Sequence, residues 1–353
     1  MKDSSFNASP TRFVGRRRLV SVSAEQLVKT SYLPDTPECP LVVEPADSSM
    51  DVYGWIATNR DLIQQWLLKH VAILFRGCSL HTAADFERFV FIVGGELLTY
   101  FEATSPRTRV TEKVYTSTDF PADQTIFLHN ERSYSVTFPR KIFFWCEIPP
   151  GKGGRTPIAD TRKIYQRIEP SIRDAFAKKG WMYVRNFGDG LGLSWQRVFQ
   201  TEDRSVVEDY CRLAKIEYEW RPGGRLRTYQ IRPAISQHPV TGERLWFNHA
   251  TFYHVTTLEP AVRQALVSHY REEDLPNNTY YGDGSPIEPA VIAHLQRAYM
   301  GEAISFSWQR GDILMLDNML AAHGRTPFEH PRKILVAMTE PYTREDMTLP
   351  TKV

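Results

Sequence analysis

Between residues 51 and 69 the apolar positions Val52, Ile56, Leu62, Ile63, Trp66 and Leu67 recur near helical spacing. The pattern predicts a helix there, followed by a short apolar strand from Val71 to Phe75 that ends at Gly77. Asp85 to Val93 reads as a second helix. From about residue 110 the pattern changes. Short apolar or alternating segments, punctuated by Pro and Gly, predict strands at 125–129, 141–147, 155–159, 181–185, 227–232, 244–248, 303–307, 312–316 and 333–338. Helical stretches interrupt them at 161–178, 205–215, 259–270 and 288–299. No internal repeat is visible, which sets solenoids and propellers aside. Many short strands with few helices between them favour a closed or double-sheet architecture over a βαβ series. The expected fold is mainly β, a jelly roll (double-stranded β-helix) with helices packed outside and inserted between strands. An α+β fold with two separate sheets fits the same strand count. Residues 1–18 are expected to form a flexible arm and residues 19–353 a single domain.

Composition narrows the function classes. The chain of 353 residues is 42% hydrophobic and 24% charged, with a formal net charge of +2, so bulk charge does not point to a nucleic-acid partner. The basic run Arg16-Arg17-Arg18 sits in the N-terminal arm and reads as solvated. Cys39, Cys78, Cys146 and Cys211 lie far apart with no C-x-x-C pair, which removes zinc-ribbon and thioredoxin readings. The start carries Asp3 and no apolar stretch, and Ile142 to Cys146 is far shorter than a membrane span. Neither a signal peptide nor a membrane anchor is expected, and a reducing cytosol fits.

Of the ten histidines, His129 alone has an acid two positions on, in His129-Asn130-Glu131. On a strand, the period of two would turn the imidazole and the carboxylate to one face. Together they supply two-thirds of a facial triad, which leaves three positions open on Fe(II). A surface pair or a satisfied core histidine would look the same. A third ligand must come from a distant strand, and residues 312–338 offer one. An apolar strand ends at Asp317-Asn318, His323-Gly324-Arg325 follows, and a turn with Pro327 and Pro331 leads to a strand opening at Arg332. His323 would bind the metal while Arg332 grips the far end of a dicarboxylate. His330, between Glu329 and Pro331, is a weaker competitor in an expected exposed turn.

These segments resemble the taurine-dioxygenase-like family of Fe(II)/2-oxoglutarate enzymes. Within it they are most similar to the clavaminate-synthase-like branch, which includes hydroxylases of non-ribosomal peptide pathways such as syringomycin biosynthesis. The matching stretches are FLHNERSY (127–134), FPRKIFFWCEIPP (138–150), GGRTPIAD (153–160), LSWQRVFQTED (193–203), LWFNH (245–249) and LMLDNMLAAHGRTPF (314–328). They run from residue 127 to about 340, so the resemblance spans roughly two-thirds of the chain, and their combination is more specific than any one of them.

The resemblance implies iron ligation by His129, Glu131 and His323, with 2-oxoglutarate and O₂ as cosubstrates. Thr156 and Arg332 match the residues that hold the distal carboxylate of 2-oxoglutarate. Two positions depart from the commoner pattern. The acid is Glu131 rather than Asp, which is the choice of the clavaminate branch, and Val336 stands where relatives often carry a second arginine. Arg325 could be recruited in its place. The implied substrate is an amino acid or a derivative, free or tethered to a peptidyl carrier protein. Asn130, Asn248 and Arg325 are candidates for its polar groups, and Asp317 or Asn318 for orienting the histidines.

Two rival classes use the same residues less fully. A zinc hydrolase or metal-dependent isomerase accepts the His/Glu/His set but gives Arg332 and Thr156 no task. A non-catalytic jelly-roll binding module does not need an intact triad. Gly188-Asp189-Gly190-Leu191-Gly192 lacks the spacing of a dinucleotide loop and is expected to be a flexible loop.

Overall fold

The Thr137–Ile148 strand shows how the sequence builds the core. Its residues alternate between two buried faces. Phe143 and Trp145 join one apolar cluster, while Ile142, Phe144 and Cys146 join another. A strand covered on both sides reads as a continuous apolar run rather than an alternating one, which is why Ile142 to Cys146 carries no polar position. The structure is a computed structural model and describes residues 27–34, 36, 38–99, 107–188 and 192–344. The expected N-terminal arm and the centre of the Gly188–Gly192 loop lie outside the described residues.

Thr137–Ile148 sits inside a seven-stranded sheet, between Ile313–Asp317 and Lys333–Thr343. Ala72–Phe75, Leu41–Pro45 and Val28–Ser31 extend the sheet on one side, and Tyr115–Thr116 closes the other. Its pairings are antiparallel except Leu41–Pro45 with Ala72–Phe75. Helices Val52–Thr58, Arg60–His70 and Ala83–Gly94 cover one face through Trp55, Ile63, Leu67, Phe86 and Phe89. The opposite face packs on Ile158, Leu245, Phe247, Phe306, Trp308 and Ala321. Ile158 and Ala321 belong to a second, three-stranded sheet ordered Ile126–His129, Ala321–Arg325, Ile158–Asp160. A four-stranded sheet of Glu217–Arg221, Arg225–Arg232, Trp181–Phe187 and Asn277–Tyr281 lies beyond it.

The architecture is therefore mixed α/β, with more helix than the mainly-β expectation allowed. The expected helix at 51–69 is two helices that meet at Asn59. The expected helix at 161–178 is likewise two, Thr161–Arg167 and Pro170–Lys179, because Pro170 restarts a helix at its first turn. Ala83–Gly94 begins two residues earlier than expected, where Thr82 and Asp85 form a reciprocal capping box. The expected strand at 303–307 reduces to a single bridge from Ile304 to Ile158. Val71 is left out of its strand because its φ of 57° caps the preceding helix.

Candidate active site

The site lies between the large sheet and the three-stranded sheet. His129 is the last residue of Ile126–His129 and pairs directly across from His323 on Ala321–Arg325, with ring centroids 4.6 Å apart. His323 faces inward, its ring 5.2 Å from that of Phe144 on the large sheet. The register shifts between His323 and Arg325. Gly324 stands at that shift, where a Cβ would meet the Ile126 carbonyl oxygen at 2.6 Å. A side chain there would push apart the strands that carry the two histidines.

Glu131 arrives by a different route from the one expected. The strand stops at His129, and residues 131–134 form a turn in which Arg132 has a φ of 55°. Glu131 therefore does not share a strand face with His129. Asn318 fixes it instead. Its Oδ1 accepts from the Glu131 backbone N–H at 2.7 Å, and its Nδ2 donates to the Glu131 carbonyl at 2.8 Å and the Pro139 carbonyl at 2.7 Å. The outcome is the convergence that the spacing suggested. One ligand atom each from His129, Glu131 and His323 lies within 4.8 Å of the others.

The protonation states suit a metal. Burial lowers the His129 imidazole below the ordinary histidine range, only partly offset by Glu131 and by the Phe127 carbonyl. Burial drives His323 well down, with His129, Arg107 and His249 acting in the same sense. Both shifts favour the neutral ring, which has a lone pair to offer. His129 donates from Nδ1 to the Phe127 carbonyl at 2.9 Å, which leaves Nε2 as its ligand atom. Burial pushes the Glu131 carboxyl up, but the Arg107 guanidinium and His129 outweigh it and hold it below the usual range. Two neutral imidazoles and one carboxylate form the donor set of a facial triad, and the residues present fit Fe(II).

Arg107 was not among the sequence candidates. Its Nη2 donates to Glu131 Oε2 at 2.8 Å, in a pair whose side chains are 5% and 7% exposed. It comes from an irregular stretch upstream of the matching segments, where no periodicity marks an inward position. Its Pro106-Arg107-Thr108 context gave no chemical signal of its own.

A cavity bordered by His129 and His323 is also lined by Thr156, Arg325 and Arg332. Arg332 donates from Nε to the Gly154 carbonyl and from Nη1 to Ser117 Oγ, each at 3.2 Å, and lies 5.3 Å over the Phe328 ring. Gly154 has a φ of 60°, and a Cβ there would press on the Arg332 Cδ at 3.0 Å. Burial, with Arg325 nearby, lowers the Arg332 guanidinium to about 10. A largely buried cation that loses charge preference in this way favours an incoming anion. Thr156 is buried, and its hydroxyl accepts the Trp308 indole N–H at 3.1 Å.

The other sequence candidates are placed differently. Arg325 borders the cavity but spends its guanidinium on a loop, donating to the Phe120, Pro121 and Gln124 carbonyls at 3.0, 2.5 and 3.0 Å. Asn130 donates to the Asn318 carbonyl at 2.6 Å. Asn248 donates to the Ala234 carbonyl at 2.8 Å and accepts from the Ala250 N–H at 2.9 Å. Neither asparagine borders the cavity. Asn318 orients Glu131 rather than a histidine of the triad. Asp317 accepts from His238 Nε2 at 3.2 Å and from the Met319 and Leu320 N–H groups. His330 is exposed, as its turn suggested. Beyond the triad, Phe252, His249 and Tyr253 form an aromatic wall, with Phe252 4.7 Å from His129 and Tyr253 stacked 5.0 Å from His249.

Comparison with known proteins decides the family. Residues 38–339 match the family described as taurine catabolism dioxygenase TauD, TfdA family. The chain belongs to the TauD/TfdA family. It is accordingly an Fe(II)/2-oxoglutarate-dependent oxygenase, a class to which its His/Glu/His cluster conforms. It is 40% identical over 296 residues to dapdiamide synthesis protein DdaC of Enterobacter agglomerans, covering 84% of this chain and 89% of the relative. It is 29% identical over 322 residues to a clavaminate synthase-like protein of Arabidopsis thaliana, covering 85% and 93%. The fold is like that of PvcB from Pseudomonas aeruginosa, with a TM-score of 0.54 at 18% identity over 90% of this chain and 93% of that one. Among the described residues, no helix is long and apolar enough to cross a membrane.

Proposed function

We propose that this TauD-family chain couples oxidative decarboxylation of 2-oxoglutarate to hydroxylation of an amino acid or amino-acid derivative in natural-product biosynthesis. The observation that carries this reading is one cavity lined both by metal-ligand candidates and by a cation with no carboxylate partner among the described residues. His129 and His323 line it, with Glu131 clustered beside them, and Arg332 and Thr156 line it too. A dicarboxylate needs both a metal and a cation set apart from it, whereas a zinc hydrolase or a passive binding module has no use for the second.

In this reading His129, Glu131 and His323 hold the iron. Arg332 and the Thr156 hydroxyl receive the distal carboxylate of 2-oxoglutarate, while Arg325 shapes the rim. When bound, iron with 2-oxoglutarate supplies the O₂ activation and hydrogen abstraction that no side chain provides. The chain's own residues orient the cosubstrate, and Phe144 and Phe252 help keep water from the reacting centre. Glu131 occupies the position a halide would need, which favours hydroxylation over halogenation. The resemblance to DdaC, a dapdiamide synthesis protein, supports a substrate from amino-acid-based secondary metabolism, free or bound to a peptidyl carrier protein. Residues 19–353 would form one double-stranded β-helix domain working in the cytoplasm.

The test needs no substrate. Anaerobic protein with Fe(II) and 2-oxoglutarate should show the visible charge-transfer band of a chelated 2-oxo acid. On admitting O₂ it should form succinate slowly. Iron-loaded protein that gives neither band nor succinate would defeat the proposal.

A further inference from the structure

Glutamate is a longer ligand than the aspartate that commonly fills this role, and its extra rotatable bond lets both carboxylate oxygens reach one metal. The triad is useful because it leaves three of six positions open. By the function proposed above, 2-oxoglutarate takes two of them and O₂ needs the third. A glutamate bound through both oxygens would close that third position.

We propose that Arg107 is the positioning residue that keeps Glu131 on the metal through a single oxygen. The pair is buried, and Arg107 Nη2 holds Oε2 at 2.8 Å. Asn318 fixes the glutamate main chain, accepting from its N–H at 2.7 Å and donating to its carbonyl at 2.8 Å, so only the side-chain torsions are left to turn the carboxylate. With the main chain pinned and Oε2 occupied, Oε1 is the oxygen left for iron. Arg107 also borders the cavity that His129 and His323 line, and its side chain is 5% exposed. A buried charge-assisted hydrogen bond is among the stronger kinds, which suits it to hold one carboxylate oxygen away from a metal.

This inference rests on the triad being an iron site, and the experiment separates the two. Wild type, Arg107→Met and Arg107→Lys are loaded anaerobically with Fe(II) and 2-oxoglutarate. Iron content and the charge-transfer band report the site itself. Nitric oxide, a stand-in for O₂, then reports the open position through its iron–nitrosyl electron paramagnetic resonance signal. Wild type and Arg107→Lys should give band and nitrosyl signal alike. Arg107→Met should keep iron and the band but lose most of the nitrosyl signal, by about tenfold. A wild type without the band sinks the functional reading instead. A full nitrosyl signal in iron-loaded Arg107→Met overturns the inference, and so does loss of iron from that variant while it remains folded. Should Arg107→Met not fold, a crystal structure of manganese-loaded wild type decides. One oxygen of Glu131 on the metal with Oε2 still on Arg107 supports the inference, and two oxygens on the metal refute it.

Discussion

Trp308 donates its indole N–H to the Thr156 hydroxyl at 3.1 Å, across 152 residues of chain. With an acceptor site on Oγ1 already filled, the hydroxyl's own proton is turned toward other partners. Trp308→Phe should keep the apolar packing and lose that orientation. A neutral hydrogen bond contributes about 0.5–1.5 kcal/mol net, so 2-oxoglutarate affinity should weaken about two- to tenfold. Titration of the charge-transfer band at constant iron measures it, and an unchanged affinity would remove Trp308 from the pocket.

Arg332 and Arg325 should separate cleanly. Arg332 has no carboxylate partner among the described residues, whereas Arg325 ties down the Phe120, Pro121 and Gln124 carbonyls. Arg332→Ala removes hydrogen bonds to a charged ligand, each contributing about 1.5–3 kcal/mol, and should weaken 2-oxoglutarate binding tenfold or more with iron retained. Arg325→Ala should chiefly lower thermal stability. A larger loss of 2-oxoglutarate affinity in Arg325→Ala would reverse the two roles.

Asn318→Ala should damage the metal site from a distance. The side chain is fully buried and makes three hydrogen bonds, two of them to the Glu131 backbone. Leaving those groups unsatisfied costs about 1–3 kcal/mol each in the worst case. The variant should unfold at lower urea concentration and also bind Fe(II) more weakly. Destabilisation with unchanged iron affinity would mean that the Glu131 turn holds without its pin.

His254 should make stability depend on pH. Burial lowers its imidazole from 6.5 to about 4. The unfolded chain takes up this proton near pH 6.5 and the folded chain only near pH 4, so the unfolded state binds more protons between them. Stability is then fully present above pH 6.5 and falls as pH drops toward 4, with a slope of at most about 1.4 kcal/mol per pH unit from this group. His254 caps the Val255–Thr257 turn by accepting the Thr256 N–H at 3.2 Å. His254→Asn preserves that acceptor and should flatten the slope in urea unfolding between pH 4 and 6.5. An unaltered slope would assign the effect elsewhere.

Much of the site could be read from the chain, and what escaped did so for physical reasons. His129 declared itself by type and by its place at the end of an apolar strand. His323 did so by type and by the segment that follows an apolar strand, although it lies in the middle of its own strand, Ala321–Arg325. Glu131 was found by spacing, although the strand stops short of it and Asn318 does the aligning. Arg107 escaped because an inward arginine on irregular chain leaves no periodic trace. Asn130 and Asn248 read as candidates for substrate, and each donates its side-chain amide to a backbone carbonyl, while the Asn130 Oδ1 keeps no hydrogen-bond partner among the described residues. In the fold, the buried strands of the large sheet were the clearest, being apolar on both faces. Asn277–Tyr281 was missed because its Asn-Asn-Thr opening reads as a turn.

The pairing of His129 with His323 has a bearing on how the protein is made. These residues are 194 positions apart (323 − 129 = 194), yet they sit opposite one another on neighbouring strands. Contacts of such separation form against a large loss of chain freedom and come late. Until those two strands pair, the ligands are not together, so iron uptake would serve as a timestamp on that step of folding. The nascent polypeptide is thereby spared from carrying a redox-active metal before it has an interior to contain it.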